Sequence, residues 1–202
     1  MREHILSLDG GGIKGLNSLT ILDFLESRGG RPIGDLFKWL AGTSTGAIIA
    51  VALARGYSPL KIKLLYLRMK DGIFRSGRFS ATINHTEKEL EAVLKEQFGD
   101  DPMETLMDLG KRVLITVTDA SAVKAKLHCF TSYQGPTIHT TIVHALLCSS
   151  AAPSFFRSVD QHYIDGGIMA NNPTLTVLRD FDELSRLAEA GQAPRLGCVL
   201  SV

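Results

Sequence analysis

Gly42-Thr43-Ser44-Thr45-Gly46 follows the apolar run Leu36-Phe37-Lys38-Trp39-Leu40-Ala41 and precedes Ala47-Ile48-Ile49-Ala50-Val51-Ala52-Leu53-Ala54. An extended stretch, a turn and a helix therefore meet at one serine. A G-x-S-x-G run at such a junction holds the serine in a strained backbone conformation that lifts its hydroxyl clear of the sheet edge. Gly42 and Gly46 flank it because side chains there would collide. The same residues also have a plainer use, since Thr43 or Ser44 can simply cap the following helix. Whether Ser44 is a nucleophile therefore depends on the rest of the chain.

At 202 residues and 45% hydrophobic content, the chain can bury one substantial core, which predicts a single domain over 1–202. A formal net charge of +1 argues against a nucleic-acid binder, which ordinarily carries a strongly basic balance. Cys129, Cys148 and Cys198 are odd in number and widely spaced, so neither a disulfide framework nor a zinc site is indicated. That usage fits a reducing, cytoplasmic setting. The first residues lack the apolar stretch of a signal peptide and no segment reaches the length of a membrane span, so membrane contact is expected to be peripheral.

Strand-like and helix-like segments alternate along the chain. His4 to Leu8 reads as a strand closed by Asp9-Gly10-Gly11-Gly12, and Leu16, Leu19, Ile21, Leu22 and Leu25 recur at helical spacing until Gly29-Gly30. Ser58-Pro59 opens a helix to about Met69, residues 71–82 read as a loop, and Thr86 with Glu89 has capping-box spacing ahead of Leu90, Val93, Leu94 and Phe98. Strands are expected from Lys111 to Thr118, from Lys126 to Phe130, up to Ile164, and from Leu196 to Val202, with helices from about Thr140 to Ser149 and from near Pro173. This alternation predicts a three-layer α/β/α fold with a mostly parallel central sheet.

Gly10-Gly11-Gly12-Ile13-Lys14-Gly15 satisfies G-x-G-x-x-G between a strand and a helix, the position of a dinucleotide fingerprint. Asp9 would place a carboxylate beside that pyrophosphate, and Asp35 does not follow an evident second strand. The other use of such a loop is an oxyanion hole made from the N–H groups of Gly10, Gly11 and Gly12, to which Lys14 could add a positive charge. A serine nucleophile also needs a base. In α/β-hydrolases the triad order is serine, acid, histidine, but here all six histidines lie at or before His162 and none follows Asp165 of Asp165-Gly166-Gly167. A Ser44–Asp165 dyad is the economical alternative, and Asp-Gly-Gly as a bare β-turn is its rival.

Taken together, Asp9 to Gly15, Gly42 to Gly46 and Asp165-Gly166-Gly167 resemble the patatin-like phospholipase family. Ser149-Ser150-Ala151-Ala152-Pro153-Ser154-Phe155-Phe156 and Asn171-Asn172-Pro173 extend the likeness, and Tyr66 to Arg75 is similar to animal calcium-independent phospholipases A2. The resemblance implies a serine hydrolase of glycerophospholipid acyl esters with Ser44 as nucleophile, Asp165 as proton acceptor and an acyl-serine intermediate. No metal or cofactor is implied. A triacylglycerol lipase or lysophospholipase is the nearest alternative, and a nucleotide-binding domain or a silent interaction module belongs to other classes. Ala47 stands where many relatives have glycine, and the family pattern continues past the last strand into a glycine turn, which leaves a C-terminal truncation open.

Between Arg55 and Arg78 there are seven basic residues and one acidic, against 15 and 20 elsewhere. Lys61, Lys63, Arg68, Lys70, Arg75 and Arg78, interleaved with Leu60, Ile62, Leu64, Leu65, Tyr66, Leu67, Ile73 and Phe74, form a candidate face for an anionic membrane surface. Self-association is left open by the sequence.

Overall fold

The computed structural model describes residues 2–69, 83–101, 103–153, 156–189 and 192–202. Six strands form one sheet: β1 (Arg2–Leu8), β2 (Trp39–Thr43), β3 (Arg112–Asp119), β4 (Lys126–Thr131), β5 (Tyr163–Asp165) and β6 (Arg195–Ser201). The main path runs β4-β3-β2-β1-β6, with β5 also on β3. β6, β1, β2 and β3 are mutually parallel, whereas β4 and β5 lie antiparallel to β3. The expected parallel sheet is therefore the centre of a mixed one.

Side-chain alternation sorts the strand residues between two cores. Leu6, Leu8, Leu40, Val113, Ile115 and Val117 face the larger core, and Ile5, Trp39, Ala41 and Leu114 the smaller. Helices α1 (Gly15–Gly29), α2 (Ile33–Leu36), α3 (Thr45–Ala54), α4 (Pro59–Met69), α5 (Ile83–Phe98) and α6 (Ile142–Ser150) supply the larger core. The single turn α7 (Gly167–Ala170) follows β5, and α8 (Thr174–Leu187) covers the opposite face through Val177 and Phe181. Trp39 meets Tyr133 and Phe181 edge-on, with ring centroids 5.0 and 5.4 Å apart. These are the three layers that the sequence pattern predicts. Among the described residues, no helix is long and apolar enough to cross a membrane.

Helix α3 is the hub. Every residue from Thr45 to Leu53 is buried, as expected for a helix that is apolar all round. Its first turn lies so close to β1 that a methyl group at Gly46 would run into the carbonyl oxygens of Leu8 and Asp9. A methyl at Gly42 would strike the Gly46 backbone. Both glycines thus serve the close approach of strand and helix, as the sequence suggested.

Two boundaries differ from expectation. The apolar run from Leu36 divides: Pro32, with φ −52°, leads into the short helix α2, and extended pairing begins only at Trp39. Gly34 packs so near the Leu53 carbonyl that a Cβ would sit 2.9 Å from it, so tertiary contact with α3 decides the local conformation. Helix α5 begins at Ile83, three residues ahead of Thr86, so the capping box predicted at Thr86 and Glu89 falls inside a helix.

Candidate active site

The sheet itself brings Ser44 to Asp165. β4 occupies one edge of β3 from Leu114 to Asp119, so β2 and β5 must share the other edge. On that edge Thr43 of β2 pairs with Thr116, and the next position, Val117, pairs with Asp165 of β5. β2 hands over to β5 at the point where its own chain turns away at Ser44. Such a switch at the carboxyl end of parallel strands is where α/β sheets open a crevice.

Ser44 has φ 54° and ψ −120°, a conformation strained for any residue with a Cβ, and stands immediately before α3. Its N–H donates to Ser149 Oγ at 2.8 Å, and that hydroxyl donates to the Thr116 carbonyl at 2.8 Å. The Ser149 carbonyl accepts the N–H of Gly166 at 3.3 Å, while Ala151 accepts that of Asp165 at 2.9 Å. The end of α6 therefore braces both the serine turn and the aspartate turn. Sequence reading missed this role: Ser149 stood out only as part of the segment Ser149 to Phe156, and nothing near it names the Ser44 N–H as its partner. Ser149→Ala would strand the Ser44 N–H and the Thr116 carbonyl, so a stability loss of about 1–3 kcal/mol is expected in chemical denaturation. An unchanged unfolding midpoint would show that the brace is dispensable.

The Asp165 carboxyl is raised above the usual aspartate range, chiefly by burial. The hydrogen bond from the Gly167 N–H, 2.6 Å from Oδ1, and the nearby Ser44 hydroxyl act in the opposite direction. Gly166 allows the tight approach, since a Cβ there would meet the Thr116 carbonyl. Beneath the pair, the Thr43 and Thr116 hydroxyls lie 2.5 Å apart and Thr43 donates to the Ala170 carbonyl at 2.8 Å.

The glycine loop lies across the same opening. Gly10 differs from expectation: its N–H donates to the Asn171 carbonyl at 3.1 Å, and the Asn171 side chain donates back to the Gly10 carbonyl at 3.2 Å. That N–H is already spent on joining the loop to the segment after Asp165. Neither Gly11 nor Gly12 donates its N–H to another described residue. Gly12 has φ 56°, Gly11 is exposed, and Lys14 is exposed where the loop becomes α1. The N–H of Thr45, the residue after Ser44, is likewise free of any described acceptor, a donor that sequence reading also missed.

A dinucleotide fits this loop poorly. Asp9 is held above the usual carboxylate range by burial, and its Oδ1 is buried without a partner beside the loop. Asp35 sits in α2, ahead of the second strand, where it cannot meet a ribose at that strand's end.

Of the basic candidates, Lys61 and Arg68 are exposed on α4 and Lys63 is partly so. Lys70, Arg75 and Arg78, with the loop expected over 71–82, lie outside the described residues. Arg55 is withdrawn from that face, since it pairs with Glu104 and lies over the Phe98 ring.

A family model described as patatin-like phospholipase matches residues 6–178. The chain is 33% identical over 224 residues to the 85/88 kDa calcium-independent phospholipase A2 of Rattus norvegicus, covering 99% of this chain and 27% of that protein. It is 32% identical over 193 residues to the intracellular phospholipase A2 of Caenorhabditis elegans, covering 92% of this chain and 17% of that protein. Among solved structures, VipD from Legionella pneumophila superimposes with a TM-score of 0.53 at 20% identity, over 83% of this chain and 46% of VipD, a likeness of fold. The chain thus spans about a quarter or less of the length of these two relatives.

Proposed function

The chain belongs to the patatin-like phospholipase family, a superfamily of lipid hydrolases, and is related to the catalytic domains of animal calcium-independent phospholipases A2; on that premise we propose that it cleaves fatty-acyl esters of glycerophospholipids through Ser44 and Asp165, without calcium. One observation carries the reading: the handover on β3 from Thr43 to Asp165 sets a serine in a strained turn beside a half-buried carboxyl whose pKa burial raises. A base whose pKa is lifted toward neutrality is better matched to taking a proton from a hydroxyl.

In this reading Ser44 Oγ attacks the ester carbonyl as its proton passes to Asp165. The oxyanion is received by the N–H groups of Gly11, Gly12 and Thr45, with Gly10 holding the loop in place and Lys14 at its border. Asp165 returns the proton to the departing lysophospholipid alcohol, leaving an acyl-serine. Water then gives a proton to Asp165 and attacks the acyl carbon, and the collapsing intermediate takes that proton back onto Ser44 as the fatty acid departs. The positive end of α3 supports the negative charge in both steps.

A fluorophosphonate should label the wild-type protein and leave Ser44→Ala unlabelled. Chromatography of products from a phosphatidylcholine with two different acyl chains identifies the bond cut, and a calcium chelator is expected to leave the rate unchanged. Labelling that persists in Ser44→Ala would sink the assignment. Cleavage of triacylglycerol or lysophospholipid in preference to the diacyl lipid would redirect it to the neighbouring activities, and folded but unlabelled wild-type protein would favour a silent module.

A further inference from the structure

Helix α4 has apolar residues on both of its sides. Ile62, Leu65 and Tyr66 point into the core, 0%, 5% and 1% exposed. With 3.6 residues per turn, Leu60, Leu64 and Leu67 fall on the opposite side, at the i, i+4, i+7 spacing of a continuous stripe. They are 58%, 54% and 43% exposed. Lys61 and Arg68 border this stripe on one flank and Lys63 on the other, and α4 contains no acidic residue. In the same layer, the outward side of α1 adds Ile21 and Phe24, with the Arg28 guanidinium 5.4 Å from the Phe24 ring centroid.

The position of α4 relates the stripe to the site. The Tyr66 hydroxyl donates to the Thr45 carbonyl at 2.7 Å, and its ring packs on Gly15 at the end of the glycine loop. The last turn of α4 therefore returns to the Ser44 end of α3, and the stripe runs along the outside of the layer toward it. Ile13, 38% exposed on the loop itself, carries apolar surface to the mouth.

The charge pattern distinguishes between occupants. Lysine is depleted where proteins bury surface against one another, because its ammonium must be desolvated. At a bilayer surface the same residue is favoured: the stem lies along the acyl boundary while the ammonium reaches the phosphates. We propose that the outer face of α4, Leu60, Leu64 and Leu67 bordered by Lys61, Lys63 and Arg68, is a docking surface for an anionic phospholipid bilayer. The helix lies flat among the headgroups and turns the Ser44 opening toward its substrate. The proposal rests on the lipid-hydrolase reading for its purpose, but binding does not require turnover.

Co-sedimentation with phosphatidylcholine vesicles, with and without phosphatidylserine, tests it. The variants are Leu60→Gln/Leu64→Gln/Leu67→Gln and Lys61→Glu/Lys63→Glu/Arg68→Glu, each scored in parallel for fluorophosphonate labelling of Ser44. The wild type should bind the serine-containing vesicles more tightly and lose affinity as salt is raised. Each variant should bind them at least about tenfold more weakly while labelling at the wild-type rate. Undiminished vesicle binding by the folded leucine variant would overturn the proposal, as would a leucine variant that only dissociates a dimer in sedimentation velocity and still binds lipid. If the leucine variant does not fold, the charge variant decides by the same criterion. Weakened vesicle binding by the variants, with Ser44 unlabelled even in the wild type, would uphold the docking surface and defeat the hydrolase reading instead.

Discussion

Ser44→Ala is expected to lower phospholipid hydrolysis by about 10⁴-fold or more, since a covalent route has no substitute once its nucleophile is gone. Its fold should be unaffected, because alanine inherits the same backbone and loses only a half-buried hydroxyl. The informative companion is Ser44→Gly. At φ 54° and ψ −120° a residue with a Cβ is under strain that glycine does not feel. Ser44→Gly should therefore be equally inactive yet more stable than Ser44→Ala, by about 1–3 kcal/mol less any entropy glycine gains when unfolded. Fatty-acid release from vesicles and thermal unfolding measure the two effects separately. Turnover by purified Ser44→Ala within tenfold of the wild type would dismiss Ser44 as the nucleophile; equal melting temperatures for the two variants would remove the strain.

Asp165→Asn is the second large effect. Asparagine keeps an oxygen for the Gly167 N–H but cannot accept the Ser44 proton, so a fall in kcat of about 10³- to 10⁴-fold is expected. Stability should move the other way. Burial raises the Asp165 pKa above its unfolded value, so the native state holds this proton more tightly than the unfolded chain does. The resulting stabilisation is present in full below the unfolded aspartate pKa of about 3.9 and is lost as pH rises through the native value. At neutral pH the native protein carries a carboxylate it would prefer to protonate, and Asp165→Asn removes that burden. The variant should be more stable than the wild type near neutrality, with the gap closing in acid. In the wild type, kcat should fall on the acid side along a limb centred above the ordinary aspartate range. An acid limb at or below that range, or a variant destabilised at every pH, would contradict the role assigned to Asp165.

Much of this was legible because its signals are local. Gly42, Gly46 and Gly166 mark places where backbone meets backbone, and Ser44 and Asp165 sit in the turns those glycines permit. The alternation of strand-like and helix-like segments that predicts the three layers is equally a property of neighbouring residues. What the sequence hid depends on distant partners. Nothing near Gly10 announces that Asn171 takes its N–H, and nothing near Ser149 announces that its hydroxyl holds the Ser44 N–H. The parting of α2 from β2 follows from the nearness of Gly34 to Leu53, and the antiparallel placement of β5 from its pairing with β3. On α4, the basic residues were visible as composition, but that Leu60, Leu64 and Leu67 turn away from the core required the burial of Ile62, Leu65 and Tyr66.

The handover along β3 from Thr43 to Asp165 also sets an order of events in folding. Helix α3 can form from its own residues, whereas the Ser44–Asp165 pair assembles only when β2 and β5 have both docked on β3 and Ser149 has reached the Ser44 N–H, pairings of high sequence separation and hence slow to close. A chain caught midway has the helix without the assembled pair. During refolding, esterase activity should therefore lag behind the recovery of helical circular dichroism, so that partly folded molecules stay harmless to the lipids around them.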